Sequence, residues 1–511
     1  MKYEGQFISC SNDLRKYLDM PFEDNIEFNA ISTDTRSIEK GSLFIAIDGP
    51  NFDGNKFVDE AFDKGATAVL CSDKKYKDHP DKACIYVPSV RDALIQIATN
   101  ICDEFNGKKI LITGSNGKTT CTFLLSNSLP NCSSTIGNFN NEIGLPLSVM
   151  QADRDSEYLV LEAGAGKPGD IAILSEVVKP HLGLITSIAE SHTEFLGDIE
   201  GVFKEKTSML KDIEKDGTFI IGYEFEDEDE YENVNLFSDL FEMPLCKDIS
   251  IKKINLDIVN LNLAIFRSNE ERLKYFKNST EFMYSEKPLC IVKFADDMSS
   301  MSFDYHFDHW DEGFSERGFS SHLIGLQNIK NIILIARCLD ELQKENTSDN
   351  FIENLKKTLL SAEVQSFSRL KHSSWHRGAH LIDDSYNANP ASVKAAIEML
   401  SFASSDKFER RILILGDMLE LKDPIKSHVE IGNFIYDKGI DVLITFGDLA
   451  EKVAHTVEET AKERRIVTPL KCLSYKNEDE DTLKIFLEDF IKKDDIVIIK
   501  GSRGMRMERF I

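Results

Sequence analysis

Short apolar runs, each closed by glycine, proline or a polar cluster, recur along this chain, and stretches of helical spacing separate many of them. Residues 42–48 (SLFIAID) form one such run, ended by Gly49-Pro50, and residues 67–71 form another. Between them, residues 58–64 read as a short helix stopped at Gly65. A second series begins near Gly107. There residues 109–113 predict a strand, a glycine loop follows, and residues 119–128 predict a helix. Residues 158–162 and 182–187 are further buried strands alternating with helical stretches.

The final third has the cleanest pattern. Strands at 380–384, 411–416, 441–446 and 495–500 alternate with helices at 392–402 and 426–438. Such alternation predicts a doubly wound parallel sheet, with ligands at the carboxyl ends of its strands. By contrast, 214–320 is weakly patterned and holds the acidic run 224–232. That run reads as a solvated loop within irregular β structure added to the middle of the protein. Helix 328–342 closes this part, and the polar stretch 343–350 is a linker. The expected architecture is α/β in three domains. A small mixed α/β domain spans 1–106, a central P-loop ATPase-like parallel sheet 107–345, and a Rossmann-like domain 346–511.

Composition narrows the function classes. Hydrophobic residues make up 42% of the 511, enough for several packed cores. Sixty Lys plus Arg against 87 Asp plus Glu give a formal charge of -27, which argues against a nonspecific nucleic-acid binder. Anionic small molecules stay possible, because a few backbone N–H groups and one or two cations can hold them. The ten cysteines form no C-x-x-C pair, so neither a zinc ribbon nor a redox motif is indicated, and Cys338 reads as a core residue. Residues 1–20 lack the basic and apolar pattern of a signal peptide. No stretch approaches the roughly 18 consecutive apolar residues of a membrane span. The expectation is a soluble, cytoplasmic protein without membrane insertion.

The most specific chemistry lies in ILITGSNGKTT, residues 110–120. A strand ends, Gly114 and Gly117 allow close wrapping of the backbone, and a helix begins at Thr119. Amides at that helix start can hold phosphate oxygens, Lys118 supplies a cation for the β and γ groups, and the Thr119 hydroxyl suits Mg2+. Gly114, Ser115, Asn116, Gly117, Lys118, Thr119 and Thr120 are therefore the expected ATP-binding loop. Only Ser115 and Asn116 separate the glycines, so the general four-residue P-loop spacing is not met.

This compact loop resembles that of the Mur ligases and their folate-polyglutamating relatives. Further segments carry the resemblance: GNFNNEIGLP (137–146), AESHTEFLG (189–197), GVFKEKTSML (201–210), LIDDSYNANP (381–390), GDMLEL (416–421), KGSR (500–503) and the T-R-containing start of the chain. It implies that Glu162 and Thr119 hold one Mg2+, and that His192 and a carbamylated Lys206 hold a second. It implies also that Asn328 and Asn331 face adenine, Asp384 contacts the ribose, Asn387 lies by the phosphates, and Arg369 reaches the γ-phosphate. Thr35 and Arg36, with the glycine turn 49–54, would bind the diphosphate of a UDP-muramoyl substrate.

The implied activity is ATP-dependent ligation of D-alanyl-D-alanine to UDP-N-acetylmuramoyl-tripeptide through an acyl phosphate, by a monomer, in cell-wall precursor synthesis. A folylpolyglutamate-type ligase and an inactive family member serving as a binding protein are the alternatives. The chain departs from the family pattern at Ala165-Gly166-Lys167 with Asp170, at Gln327, at Phe367-Ser368 before Arg369, and at Asn55.

Overall fold

The computed structural model describes residues 6–49, 52–77, 79, 83–223, 250–255, 264–265, 289–295, 297–307, 315–344, 350–361, 370–436, 438–463 and 470–511. Three parallel arrays organise them. The first comprises β1 (Ala30–Ser32), β2 (Ser42–Ile45), β3 (Ala68–Cys71) and β4 (Cys84–Tyr86), side by side in that order. The second is built from β5 (Lys108–Thr113), β6 (Cys132–Ser134), β7 (Tyr158–Glu162), β8 (Leu182–Ile185), β9 (Thr218–Tyr223) and β10 (Ser250–Asn255). Their spatial order is β10-β9-β8-β5-β7-β6, so the carboxyl ends of β8 and β7 flank that of β5.

After β11 (Ala264–Ile265) come β12 (Leu289–Phe294), β13 (Met301–Phe307) and β14 (Ser315–Ser321), an antiparallel ladder. Irregular β structure was the expectation for this stretch. The ladder is regular because Met301, Phe303 and Phe319 bury one face against the central core, Phe303 stacking on Phe319 at 5.3 Å. The acidic run 224–232 lies outside the described residues.

The third array is β15 (Lys371–Ser374), β16 (His380–Asp384), β17 (Arg410–Gly416), β18 (Val442–Phe446), β19 (Lys471–Tyr475) and β20 (Asp495–Lys500), ordered β15-β16-β20-β17-β18-β19. Only β15 runs antiparallel. Apolar clusters cover both faces of this sheet, as the expected doubly wound arrangement requires. The segments LIDDSYNANP, GDMLEL and KGSR follow β16, β17 and β20. These three strands are neighbours in the order β16-β20-β17, which brings the segments to one carboxyl edge.

Helices supply the remaining walls. α1 (Val90–Glu104) is capped by the Ser89 side chain, which accepts from Asp92 N. Its buried residues Val90, Ala93, Leu94, Ile97, Ala98 and Ile101 recur at helical spacing and share one cluster with β2, β3 and the central helix α3 (Gly144–Met150), which follows α2 (Lys118–Ser128). Burying each large side chain of that face contributes about 1.5–3 kcal/mol. The first and second arrays therefore share a core.

On the opposite face of the central sheet, α2 packs against α8 (Leu326–Gln343) and α9 (Phe351–Leu359). Helix α9 belongs to the stretch that the sequence groups with the third domain. Here Phe351, Leu355 and Leu359 join the central core, and Asn354 and Thr358 donate to the carbonyls of Ser128 and Asn127. The third core in turn takes in Met298 and Ile324, and Phe294 stacks on Phe402 at 5.6 Å. Among the described residues, no helix is long and apolar enough to cross a membrane.

Candidate active site

The loop after β5 is shaped by two glycines, each for its own reason. Gly114 has φ +152°, and a Cβ there would lie 1.9 Å from Thr186 Oγ1. Gly117 has φ +84°, and a Cβ there would lie 2.3 Å from Asn331 Oδ1. The strand end after β8 pins the loop: Ser115 N donates to Ser187 O at 2.9 Å, Asn116 N to Ser187 Oγ at 2.9 Å, and Ser115 Oγ to Ala189 O at 2.8 Å. Helix α2 starts at Lys118, and Cys121 N donates to Gly117 O at 2.8 Å. The amides of Lys118, Thr119 and Thr120 precede that bond at the positive end of the helix, where an anion is favoured. Lys118 Nζ lies over the turn, donating to Gly114 O at 2.7 Å. The side chain of Thr120 is buried, so its part in holding a phosphate is confined to its amide.

We expect Gly117→Ala to weaken nucleotide binding more than tenfold, because alanine in the left-handed region costs about 1–3 kcal/mol and must also displace Asn331. Nucleotide titration alongside thermal unfolding checks this; unchanged affinity would refute the role given to the turn.

Asn328 and Asn331 lie three residues apart on α8 and so share a face. That face is buried beneath the loop. Asn331 Nδ2 donates to Asn328 Oδ1 at 3.2 Å, Asn328 Nδ2 donates to Ile324 O at 2.8 Å, and Cys121 Sγ lies 3.5 Å from Asn331 Oδ1. Asn331 thus lies directly under the turn at Gly117, and Asn328 holds its amide in place.

Glu162 ends β7, next to β5, and is only 1% exposed. Its Oε1 accepts from Asn140 Nδ2 at 2.7 Å, whereas Oε2 is buried with no hydrogen-bond partner. An unsatisfied buried carboxylate oxygen is costly, and a hard cation is the partner such an oxygen suits. The donor chemistry here fits Mg2+.

Lys206 lies on α7 (Ile199–Thr207), which follows the short helices α4 (Asp170–Val178), α5 (Thr193–Leu196) and the cap Asp198, whose side chain accepts from Gly201 N. Its neighbour Glu205 accepts from Gly169 N and Ile171 N at 2.7 and 2.8 Å, fixing the helix against the start of α4. Lys206 itself is 1% exposed. Burial, reinforced by the positive charge of Lys118, lowers its pKa from 10.5 to about 7. A large share of this amine is neutral at physiological pH, the form that reacts with CO2.

His192 caps α5 from the left-handed region (φ 53°), and its Nδ1 lies 2.8 Å from Glu420 Oε2 of the GDMLEL segment. The hydrogen bond from His192 holds the Glu420 carboxyl below its ordinary range. The turn carrying His192 is tied to the phosphate loop through Ser191 Oγ and Ser115 Oγ, 3.0 Å apart.

The third sheet meets the loop directly. Asn389 Nδ2 donates to Asn116 Oδ1 at 2.9 Å, and Asn116 Nδ2 donates back to Asn389 Oδ1 at 3.4 Å. Asn389 also caps α10 (Pro390–Ser401), accepting from Ser392 N. Asn138 Nδ2 donates to the Tyr386 hydroxyl at 3.4 Å. Asp384 is buried and accepts from Lys500 Nζ at 2.6 Å, so the expected ribose ligand is a carboxylate already paired within its own sheet. Asn387 Oδ1 accepts from Ala388 N and Arg503 N, an internal turn. Arg369 lies outside the described residues.

The T-R pair of the first unit is split. Arg36 is 87% exposed by side chain and pairs with Asp34 at 2.6 Å, holding that carboxyl at about 2. The Thr35 hydroxyl turns inward and donates to Glu60 Oε1 at 2.9 Å. Asn55 joins the glycine turn to the end of β3, accepting from Ser72 N and Asp73 N.

Asn140, Asn389 and Glu420 are side chains of the site that sequence reasoning did not single out. Each sits inside a quoted motif, so the motif was the available signal.

Three family profiles match the chain: Mur ligase family, catalytic domain, at 27–101; Mur ligase middle domain, at 112–339; and Mur ligase, glutamate ligase domain, at 368–503. A Bacillus subtilis protein named UDP-N-acetylmuramoyl-tripeptide--D-alanyl-D-alanine ligase is 30% identical over 94% of this chain and 92% of its own length. Among solved structures, MurF from Acinetobacter baumannii superposes with a TM-score of 0.73 at 21% identity, covering 99% of this chain and 98% of that one. The MurF ligase from Thermotoga maritima in complex with ADP has a TM-score of 0.65 at 23% identity, over 94% and 96% of the two chains.

Proposed function

The chain belongs to the Mur ligase family, and from that premise we propose that it joins D-alanyl-D-alanine to UDP-N-acetylmuramoyl-tripeptide at the expense of ATP. The observation that carries the ATP chemistry is the partnerless Glu162 Oε2, buried at the end of the strand beside the one feeding the phosphate loop.

In this reading the terminal carboxylate of the tripeptide attacks the γ-phosphorus of ATP, the bond to ADP breaks, and an acyl phosphate forms. A carboxylate resists attack by an amine, and phosphorylation converts its oxygen into a leaving group. The dipeptide amine then attacks the acyl carbon, inorganic phosphate departs, and the nitrogen loses a proton. Lys118 and the amides opening α2 meet the charge that gathers on the transferring group. Thr119, Glu162, His192 and a carbamylated Lys206 would hold two Mg2+ ions, which when bound supply further positive charge to the phosphates. Neutral Lys206 gains CO2 and loses a proton, turning a group unable to ligate a cation into one with carboxylate oxygens. Asn140 orients Glu162, and the Asn116–Asn389 pair docks the third sheet on the loop. Arg36 serves the diphosphate of the UDP-linked substrate. The enzyme acts as a monomer in the cytoplasm.

Phosphate release in the presence of ATP and Mg2+ tests the proposal. It should require both UDP-N-acetylmuramoyl-tripeptide and D-alanyl-D-alanine. Release driven by a folate and glutamate would favour the folylpolyglutamate alternative, and no release under either condition would favour the inactive binding protein.

A further inference from the structure

The GDMLEL segment has no task in the chemistry above, yet its tip crosses to the central sheet at three points. Glu420 Oε2 lies 2.8 Å from His192 Nδ1, Glu194 N donates to Glu420 O at 3.4 Å, and Lys422 N donates to Thr193 Oγ1 at 3.1 Å. Both members of the side-chain contact occupy the left-handed region, with φ 53° at His192 and φ 62° at Glu420. Residues other than glycine adopt that region rarely, and they keep it where the surroundings over-determine it.

An ionised carboxylate can only accept a hydrogen bond, so the proton of the contact sits on His192 Nδ1. The lone pair of the neutral ring is then at Nε2. A histidine that ligates a metal through one nitrogen commonly has the other fixed in this manner, and removing the fixing group weakens the metal site. The geometry points to Glu420 as a positioning residue. It comes from the third sheet and holds the His192 imidazole in the tautomer and orientation that present Nε2 to a divalent cation. This inference rests on the reading of His192 as a metal ligand. It follows that the cation site is complete only while the loop after β17 is docked on the turn that bears His192.

Mn2+ is the probe. The full chain loaded with ADP is titrated with Mn2+, and bound ion is followed by electron paramagnetic resonance in the wild type, Glu420→Ala, Glu420→Leu, His192→Ala and the double alanine variant. Glu420→Ala should weaken one Mn2+ site about tenfold. His192→Ala should weaken it at least as much, and the double variant no further, because Glu420 acts through the ring. Nitrogen-15 spectra, with the His192 signal assigned by its loss in His192→Ala, should show Nδ1–H in the wild type and a shift of tautomer in Glu420→Ala. Unchanged Mn2+ affinity in Glu420→Ala beside a weakened His192→Ala overturns the inference and leaves the metal reading in place. Unchanged affinity in His192→Ala overturns both. Should the alanine variants misfold, Glu420→Leu fills the same space without an acceptor oxygen, and wild-type affinity with a wild-type ring spectrum in that variant overturns the inference equally.

Discussion

Lys118→Ala is expected to lower the rate of ligation about a thousandfold or more, at saturating ATP as well as below it. Two losses combine. The cation placed over the phosphate turn disappears, and with it a charge-assisted contact to the group in transfer; one such contact is worth roughly 3–4 kcal/mol in comparable sites. The second loss is indirect. Lys118 helps to keep Lys206 neutral, and without its charge the Lys206 amine regains protons and carbamylates less readily. Lys118→Arg retains the charge and so should preserve the state of Lys206 while failing to reproduce the compact contact. The measurement is turnover by phosphate release, beside thermal unfolding to confirm a folded chain. Near-normal ligation by a folded Lys118→Ala protein would contradict the mechanism.

Lys206→Ala should be as damaging, with a loss of about a hundredfold to a thousandfold, and it should be partly reversible by chemistry. Alanine leaves space in a fully buried position on α7, and formate or acetate can bring carboxylate oxygens back to it. Addition of either acid should recover a measurable fraction of the rate. The unmodified wild type carries its own signature of pH. Its Lys206 titrates near 7, and CO2 adds only to the neutral amine. Below that pH the amine is mostly protonated and the carbamate is lost. Above it the neutral form dominates and the modification is favoured. Wild-type activity in CO2-depleted buffer should therefore fall on acidification and return with bicarbonate, whereas the acetate-rescued variant should ignore bicarbonate. Full activity of Lys206→Ala without any added acid would remove the carbamate from the scheme.

Much of the fold can be read from residue order. Strands such as Tyr158–Glu162 and Asp495–Lys500 are continuous apolar runs because both faces of a parallel sheet are covered. Helix starts are less visible from periodicity alone. The two helices predicted from 392 and 426 begin earlier, at Pro390 and Pro424, each behind an Asn or Asp cap that proline at the first position favours. Helix Val90–Glu104 is spelled out by its apolar positions, which recur at helical spacing.

The site divides in the same way. The phosphate turn is local, so its glycines and lysine are legible together in one short segment. The partners that orient the chemistry are remote: Asn140 and Glu162 are 22 residues apart, Asp384 and Lys500 are 116 apart, and Asn116 and Asn389 are 273 apart. No periodicity encodes such meetings. They exist because strand order brings the carboxyl ends of β16, β20 and β17 together and turns that edge toward the loop after β5.

The seam between the third sheet and the rest is uneven in composition, and this sets how it can move. Along the edge beside the phosphate loop it is made of amides, a carboxylate, an imidazole and hydroxyls, groups that water can satisfy at a net cost of about 1 kcal/mol each. Elsewhere along it Met298, Ile324 and the Phe294–Phe402 stack are oily, and wetting them is penalised by roughly 25 cal/mol for every Å² laid bare. Thermal agitation will part the seam at its wettable margin first, with the greasy margin acting as the pivot. Substrates would enter, and products leave, by a swing about that pivot.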